Sequence, residues 1–183
     1  MLRALLLLMV VGFTLNAAEQ RKETGYHQSL LGEAPLLFDQ TGNRPQPRYL
    51  SYLSRQKYVF LYFGGSQCKP CKKLTPELIA WYNANGGGKD FEIILVGQDF
   101  FTDDIKAYMK TSGMPWLAFE KGNKFQKADA HFEAIKAKYD SKYVPTLVLL
   151  DQHDEVIARS NNGDQYLGTD VVLKKYLELT KGR

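Results

Sequence analysis

Apolar and polar positions in this chain fall into blocks of two kinds. Residues 58–63 and 91–96 are nearly unbroken apolar runs, the pattern of strands buried on both faces of a helix-covered sheet. Between them, from 69 to 83, Leu74, Leu78, Ile79, Trp81 and Tyr82 recur at helical spacing, and Gly86-Gly87-Gly88 ends the pattern. Pro76 stands inside this helix and is expected to bend it. After the second run, Thr102 is placed to cap a helix reaching Ala107 and Met109, with Asp103 and Asp104 in its first turn. Residues 116–119 are apolar but short, and 128–139 reads as a helix. Residues 146–150 and 156–159 read as strands parted by the polar turn Gln152-His153-Asp154. A last helix over 170–179 offers Val171, Val172, Leu173, Tyr176, Leu177 and Leu179 as core candidates. Upstream, Leu36-Leu37-Phe38 running into Asp39-Gln40-Thr41-Gly42 reads as an edge strand and turn. Pro45 and Pro47 interrupt regular structure after that turn, and 49–54 is a short helical turn. Strands alternating with helices, then a hairpin and a final helix, predict a three-layer α/β domain.

The first residues show a different pattern. Met1-Leu2-Arg3, an apolar stretch over 4–15 and Asn16-Ala17-Ala18-Glu19 form a positive end, a hydrophobic core and a small-residue cleavage site, an export signal over 1–18. The apolar stretch is shorter than the roughly 17 residues a spanning helix needs, so cleavage is expected ahead of retention as an anchor. The remainder of the chain divides into a polar, loose segment over 19–35 and a domain over 36–183, with no later transmembrane segment. The expected location is periplasmic or secreted. Charge adds little: 24 Lys plus Arg stand against 20 Asp plus Glu. The lysines are interleaved with acids, as in 127-KADAHFEAIKAKYDSK-142, which is a solvated surface and not a nucleic-acid track.

Chemistry concentrates in one place. The two cysteines of the chain form Cys68-Lys69-Pro70-Cys71, between the first apolar run with its Gly64-Gly65-Ser66-Gln67 loop and the helix over 69–83. A pair so spaced at a helix N-terminus is laid out as a redox-active dithiol, because unpaired backbone N–H groups there favour the thiolate. A purely structural clip is the alternative, and it would close too short a loop to remove much unfolded-state entropy. His27, His131 and His153 are scattered and no third cysteine exists, so no metal site is expected. Met114 is expected to pack, and Gly86-Gly87-Gly88 comes after a helix without a phosphate-loop lysine, so no cofactor is expected either.

Three blocks, 59-VFLYFGGSQCKPCKKLTPELIAWY-82, 114-MPWLAF-119 and 144-VPTLVLLDQHDEVI-157, carry a resemblance to a known family. Over about 48–179 the chain resembles the thioredoxin superfamily, and more closely its tryparedoxin and nucleoredoxin branch. The resemblance implies a thioredoxin-like three-layer α/β/α sandwich with a central mixed sheet. It also implies roles. Cys68 is the attacking thiolate and Cys71 the resolving thiol. Pro70 restricts the turn, and Lys69 either tunes the thiolate by its charge or is a solvated helix-start residue. Pro145 resembles the family's cis-proline opposite the dithiol, with the Val144 backbone leaving an edge for a substrate segment. Trp116 either flanks the active-site surface or serves as a core or hinge aromatic. Two departures stand out. Gln67 replaces the family's usual tryptophan, which removes an aromatic shelf beside the nucleophile. Tyr62 stands where many thioredoxins bury an acid, leaving Glu77 or ordered water as groups to help deprotonate Cys71.

The activity so implied is an exported thiol–disulfide oxidoreductase. Its partners would be protein thiols or disulfides and a protein electron donor or acceptor, and it would work as a monomer, with reduction slightly favoured over oxidation. Two other readings stay open. One is a non-enzymatic module that keeps the fold with an inert or structural disulfide. The other is a thiol peroxidase relative, although Ser66-Gln67-Cys68 is a distant imitation of a Thr-x-x-Cys setting.

Overall fold

The structure, a computed structural model, describes residues 26–31, 37–45, 47–121, 127–139 and 142–181. The segment read as an export signal lies outside them. The apolar runs become the centre of a sheet: β2 (Val59–Gly64) pairs in parallel with β3 (Glu92–Gly97) and antiparallel with β5 (Thr146–Leu150). Beyond β3 lies the parallel β4 (Leu117–Phe119), and the edges are the antiparallel β1 (Leu37–Phe38) and β6 (Val156–Arg159). The order is β1-β4-β3-β2-β5-β6, and β7 (Asn161–Asn162) with β8 (Gln165–Tyr166) forms a separate small hairpin.

Every residue of β2, β3 and β5 is buried because alternate side chains enter two cores. Phe60, Tyr62, Ile93, Leu95, Leu147 and Leu149 face α3 (Lys69–Ala84), α4 (Thr102–Ser112) and α6 (Thr169–Thr180). Leu61, Phe63, Ile94, Val96, Val148 and Leu150 face α1 (Gln28–Leu31), α2 (Pro47–Leu53) and α5 (Lys127–Tyr139). This is the expected three-layer sandwich with a mixed sheet. A parallel β2–β3 pair requires a crossover, and α3 supplies it, so the tip of α3 stands at the end of β2.

Three local expectations are revised. Thr102 is the first residue of α4 and not its cap: Phe101 holds the cap position without a side-chain bond, while the Thr102 hydroxyl donates to the Lys121 carbonyl. Val171 and Leu179 lie in solvent, because the buried stripe of α6 runs through Val172 and Tyr176 with Leu173 and Leu177 beside it. Pro76 stands inside the 16-residue α3, Lys69–Ala84.

The third revision concerns the N-terminal segment, whose described part, 26–31, is docked and not loose. His27 is completely buried, with Nδ1 2.8 Å from Asp154 Oδ1 and Nε2 2.8 Å from the Gln56 carbonyl. The Leu30 N–H donates to Asp154 Oδ2 at 2.8 Å, and the Tyr139 hydroxyl donates to the Asp154 carbonyl at 2.9 Å. Both ring nitrogens of His27 thus face oxygen atoms, and the ring bridges Asp154 to the Gln56 carbonyl. Asp154 lies in the β5–β6 turn, at the opposite end of the sheet from the tip of α3. Among the described residues no helix is long and apolar enough to cross a membrane.

Candidate active site

β2 ends on Gly64, where a Cβ would lie 2.9 Å from Cζ of the Tyr62 ring. Only glycine admits that ring beneath the turn. The chain then folds over on a Cys68 N–H to Gly65 carbonyl bond of 3.1 Å and enters α3 with Cys68 as N-cap, its Sγ accepting the Cys71 N–H at 3.1 Å. Cys68 and Cys71 are joined in a disulfide with Cα atoms 5.2 Å apart. Cys71 is 0% exposed whereas Cys68 is half-buried, so the sulfur that solvent and a partner can reach belongs to Cys68. Lys69 and Pro70 come next, in the first turn, and are both exposed. Proline is at home there, since its missing N–H would have had no intrahelical partner.

Beneath the dithiol, hydroxyls cluster around Tyr62. Thr75 Oγ1 donates to the Cys71 carbonyl at 2.8 Å and lies 3.0 Å from the Tyr62 hydroxyl and 2.8 Å from that of Tyr108. Tyr62 also donates weakly to the Cys71 carbonyl, at 3.4 Å. Burial pushes the Tyr62 phenol far up, so it keeps its proton and adds no charge under Cys71. Glu77 is exposed on the outer side of α3, beside Pro70 and Lys73 and not beneath the dithiol.

Val144 and Pro145 lead into β5 with a cis peptide bond between them, and Val144 stands beside Cys68. Val144 divides two recesses. One, of about 300 Å³, is lined by Cys68, Gly65, Gln67, Asp99, Phe100 and Val144. The other, of about 630 Å³, runs past Pro70, Glu77, Tyr143, Pro145 and Tyr166. Gln67 is exposed, its amide donating to Ser66 Oγ at 3.3 Å. Trp116 does not come to this surface. It is 1% exposed, edge-on to Tyr62 and Tyr82 at 6.4 and 5.5 Å between centroids, which makes it a core aromatic supporting the hydroxyl layer from below. A larger cavity, about 880 Å³, opens among Arg44, Tyr49, Tyr52 and Arg55 at the opposite end of the sheet and contains none of the reactive groups.

Two residues of the site have no motif of their own. Asp99 accepts the Ser66 N–H at 3.0 and 3.1 Å and the Ser66 hydroxyl at 2.6 Å, holding the loop before Cys68. Phe100, the next residue, stands at the rim. The available signal was positional: parallel pairing sets Gly97 beside Gly64, so the segment after β3 must emerge next to the dithiol loop.

This geometry has counterparts among known proteins. A family model described as thioredoxin-like matches residues 56–156, more than half of the chain. The chain belongs to the thioredoxin-like family. Nucleoredoxin of Bos taurus is 36% identical over 103 residues, 56% of this chain and 22% of that protein. Tryparedoxin of Trypanosoma brucei brucei is 34% identical over 95 residues, 52% of this chain and 61% of that one. The chain thus spans less than a quarter of the vertebrate nucleoredoxins it matches. Among solved structures, tryparedoxin I of Leishmania major superposes with a TM-score of 0.59 at 30% identity, covering 84% of this chain and 94% of that one. Thioredoxin of Wuchereria bancrofti superposes with a TM-score of 0.58 at 26% identity, covering 79% and 94%. This thioredoxin-like protein carries its Cys-x-x-Cys pair within disulfide reach, as an oxidoreductase of that family requires.

Proposed function

We propose that the protein is an exported thiol–disulfide oxidoreductase acting on protein thiols or disulfides, as a monomer. The observation that carries this reading is the asymmetry of the pair, with Cys68 accessible at the tip of α3 next to Val144 and Cys71 sealed behind it. In the reducing direction the Cys68 thiolate attacks one sulfur of a client disulfide, forms a Cys68–client bond and releases the other client sulfur as a thiolate. The Cys71 thiolate then attacks Cys68 Sγ, closing the Cys68–Cys71 disulfide and releasing the second client thiolate. Two electrons pass to the client, and a donor dithiol restores the enzyme by the reverse exchange. The helix N-terminus and the Cys71 N–H at 3.1 Å support a thiolate at Cys68. Export rests on the signal-like pattern of the first 18 residues.

Equilibration in glutathione buffers, monitored by thiol mass shift, tests the reading. Complete and reversible two-electron exchange is expected, lost in Cys68→Ser and arrested as a mixed disulfide in Cys71→Ser. A potential near −270 mV would mark a reductase and one near −120 mV an oxidant of client dithiols. A pair that exchanges with nothing, even under strong reduction, would mean a structural disulfide.

A further inference from the structure

Phe100 and Phe101 are 87% and 72% exposed, the most exposed large apolar side chains among the described residues. They are adjacent, and Phe100 shares the 300 Å³ recess with the Cys68 sulfur. Isolated exposed apolar residues are ordinary, but a pair on the rim of a reactive site is a contact surface. Its position is built. The Asp99 carboxylate takes three bonds from Ser66, and Lys121 Nζ donates to the Asp99 carbonyl at 3.1 Å, so the residue before Phe100 is tied both to the dithiol loop and to the end of β4. Phe101 occupies the cap of α4, where Ser, Thr, Asp or Asn would bond the helix, and makes no such bond. Apolar surface is kept here in place of a cap.

We propose that Phe100 is a specificity-determining residue, seating a large apolar side chain next to the reactive cysteine of an extended client polypeptide. The inference rests on the exchange reading above and names its substrate class. The occupant is set by the chemistry: a client bonded to Cys68 Sγ is fixed at the recess, and with about 3.3 Å per extended residue its neighbouring side chain falls between Phe100 and Val144. No cation stands among the residues lining the recess, and its carboxylate, Asp99, accepts from Ser66, so an acidic side chain finds no counter-ion there. Glutathione carries no apolar side chain to seat there. The shelf lost at Gln67 is thereby rebuilt from the loop after β3.

The test uses the full chain and three substrates: two disulfide peptides that differ only in Leu or Asp beside the cysteine, and oxidised glutathione. The native protein is expected to reduce the Leu peptide about tenfold faster in kcat/KM than the Asp peptide. Phe100→Ser should bring the two peptides to parity, and Phe100→Leu should restore most of the preference. An unchanged peptide ratio in Phe100→Ser overturns the assignment. So does a concentration-dependent dimer that Phe100→Ser abolishes without altering peptide preference, which would give the patch to a second copy. Absence of exchange with all three substrates would instead defeat the exchange reading itself.

Discussion

The two ends of the sheet use polar and apolar groups in opposite ways. At the dithiol end the chain exposes Phe100 and Phe101, half-buries Cys68, places neutral hydroxyls of Tyr62, Thr75 and Tyr108 underneath, and confines the buried Asp99 carboxylate to holding Ser66 in the loop before the pair. At the other end it buries ionisable groups completely: His27 against Asp154, and Glu92 among the hydroxyls of Tyr49 and Tyr82. Buried ionisable groups demand partners in fixed positions, so they tie segments together. An exchange site needs the reverse, an accessible sulfur with room beside it. The difference separates stability from reactivity along one sheet, and substitutions at the two ends should therefore move different measurements.

The largest effect should come from His27→Ala, which strips the ring from a buried carboxylate and should cost about 3–5 kcal/mol, read as a fall in Tm of roughly 2–4 °C per kcal/mol. Exchange by the still-folded protein should be untouched; slower exchange at a temperature where it remains folded would break the comparison.

Glu92 sharpens it through pH. Burial pushes its carboxyl from 4.5 up to about 8. Between those values the folded state keeps a proton that the unfolded state releases, so stability falls as pH rises from about 4.5 to about 8 and levels off above, a loss of a few kcal/mol. Urea unfolding at several pH values should show that slope, flattened in Glu92→Gln.

Asp99→Ala belongs to the reactive end. It frees the Ser66 N–H and hydroxyl and should slow exchange severalfold while costing stability only about 1–2 kcal/mol. A Tm loss with no kinetic change would return Asp99 to the scaffold.

The smallest effect is expected of Tyr62→Phe, about 1 kcal/mol, because Thr75 retains the Cys71 carbonyl and Tyr108. As the phenol keeps its proton throughout, the pH profile of exchange should not shift.

Much of the fold was legible in the chain's own pattern. The runs at 58–63 and 91–96, the helix through Leu78 and Tyr82 and the short edge strand ending on Phe38 all appear in the structure, since each is written in local periodicity. The cysteine pair was legible as a motif, whereas Pro145 was pointed to only by the family resemblance and its cis bond only by the structure. Trp116 was not, because an aromatic in a short apolar run can serve rim or core, and only its contacts with Tyr62 and Tyr82 decide. Nor was His27, whose carboxylate partner lies 127 positions away.

The order of hydrophobic blocks by itself determined a helix-covered sheet with a cysteine pair at the start of a helix, because side-chain period and capping position are local properties of the chain. Tertiary structure alone decided what stands around that pair. Parallel pairing of β2 with β3 brings Asp99 and Phe100 beside Cys68, and the crossing of α3 and α4 over the sheet closes Tyr62, Thr75 and Tyr108 into one hydroxyl layer. Neither neighbourhood leaves a periodic trace, since each joins segments whose separation along the chain bears no relation to their distance in space.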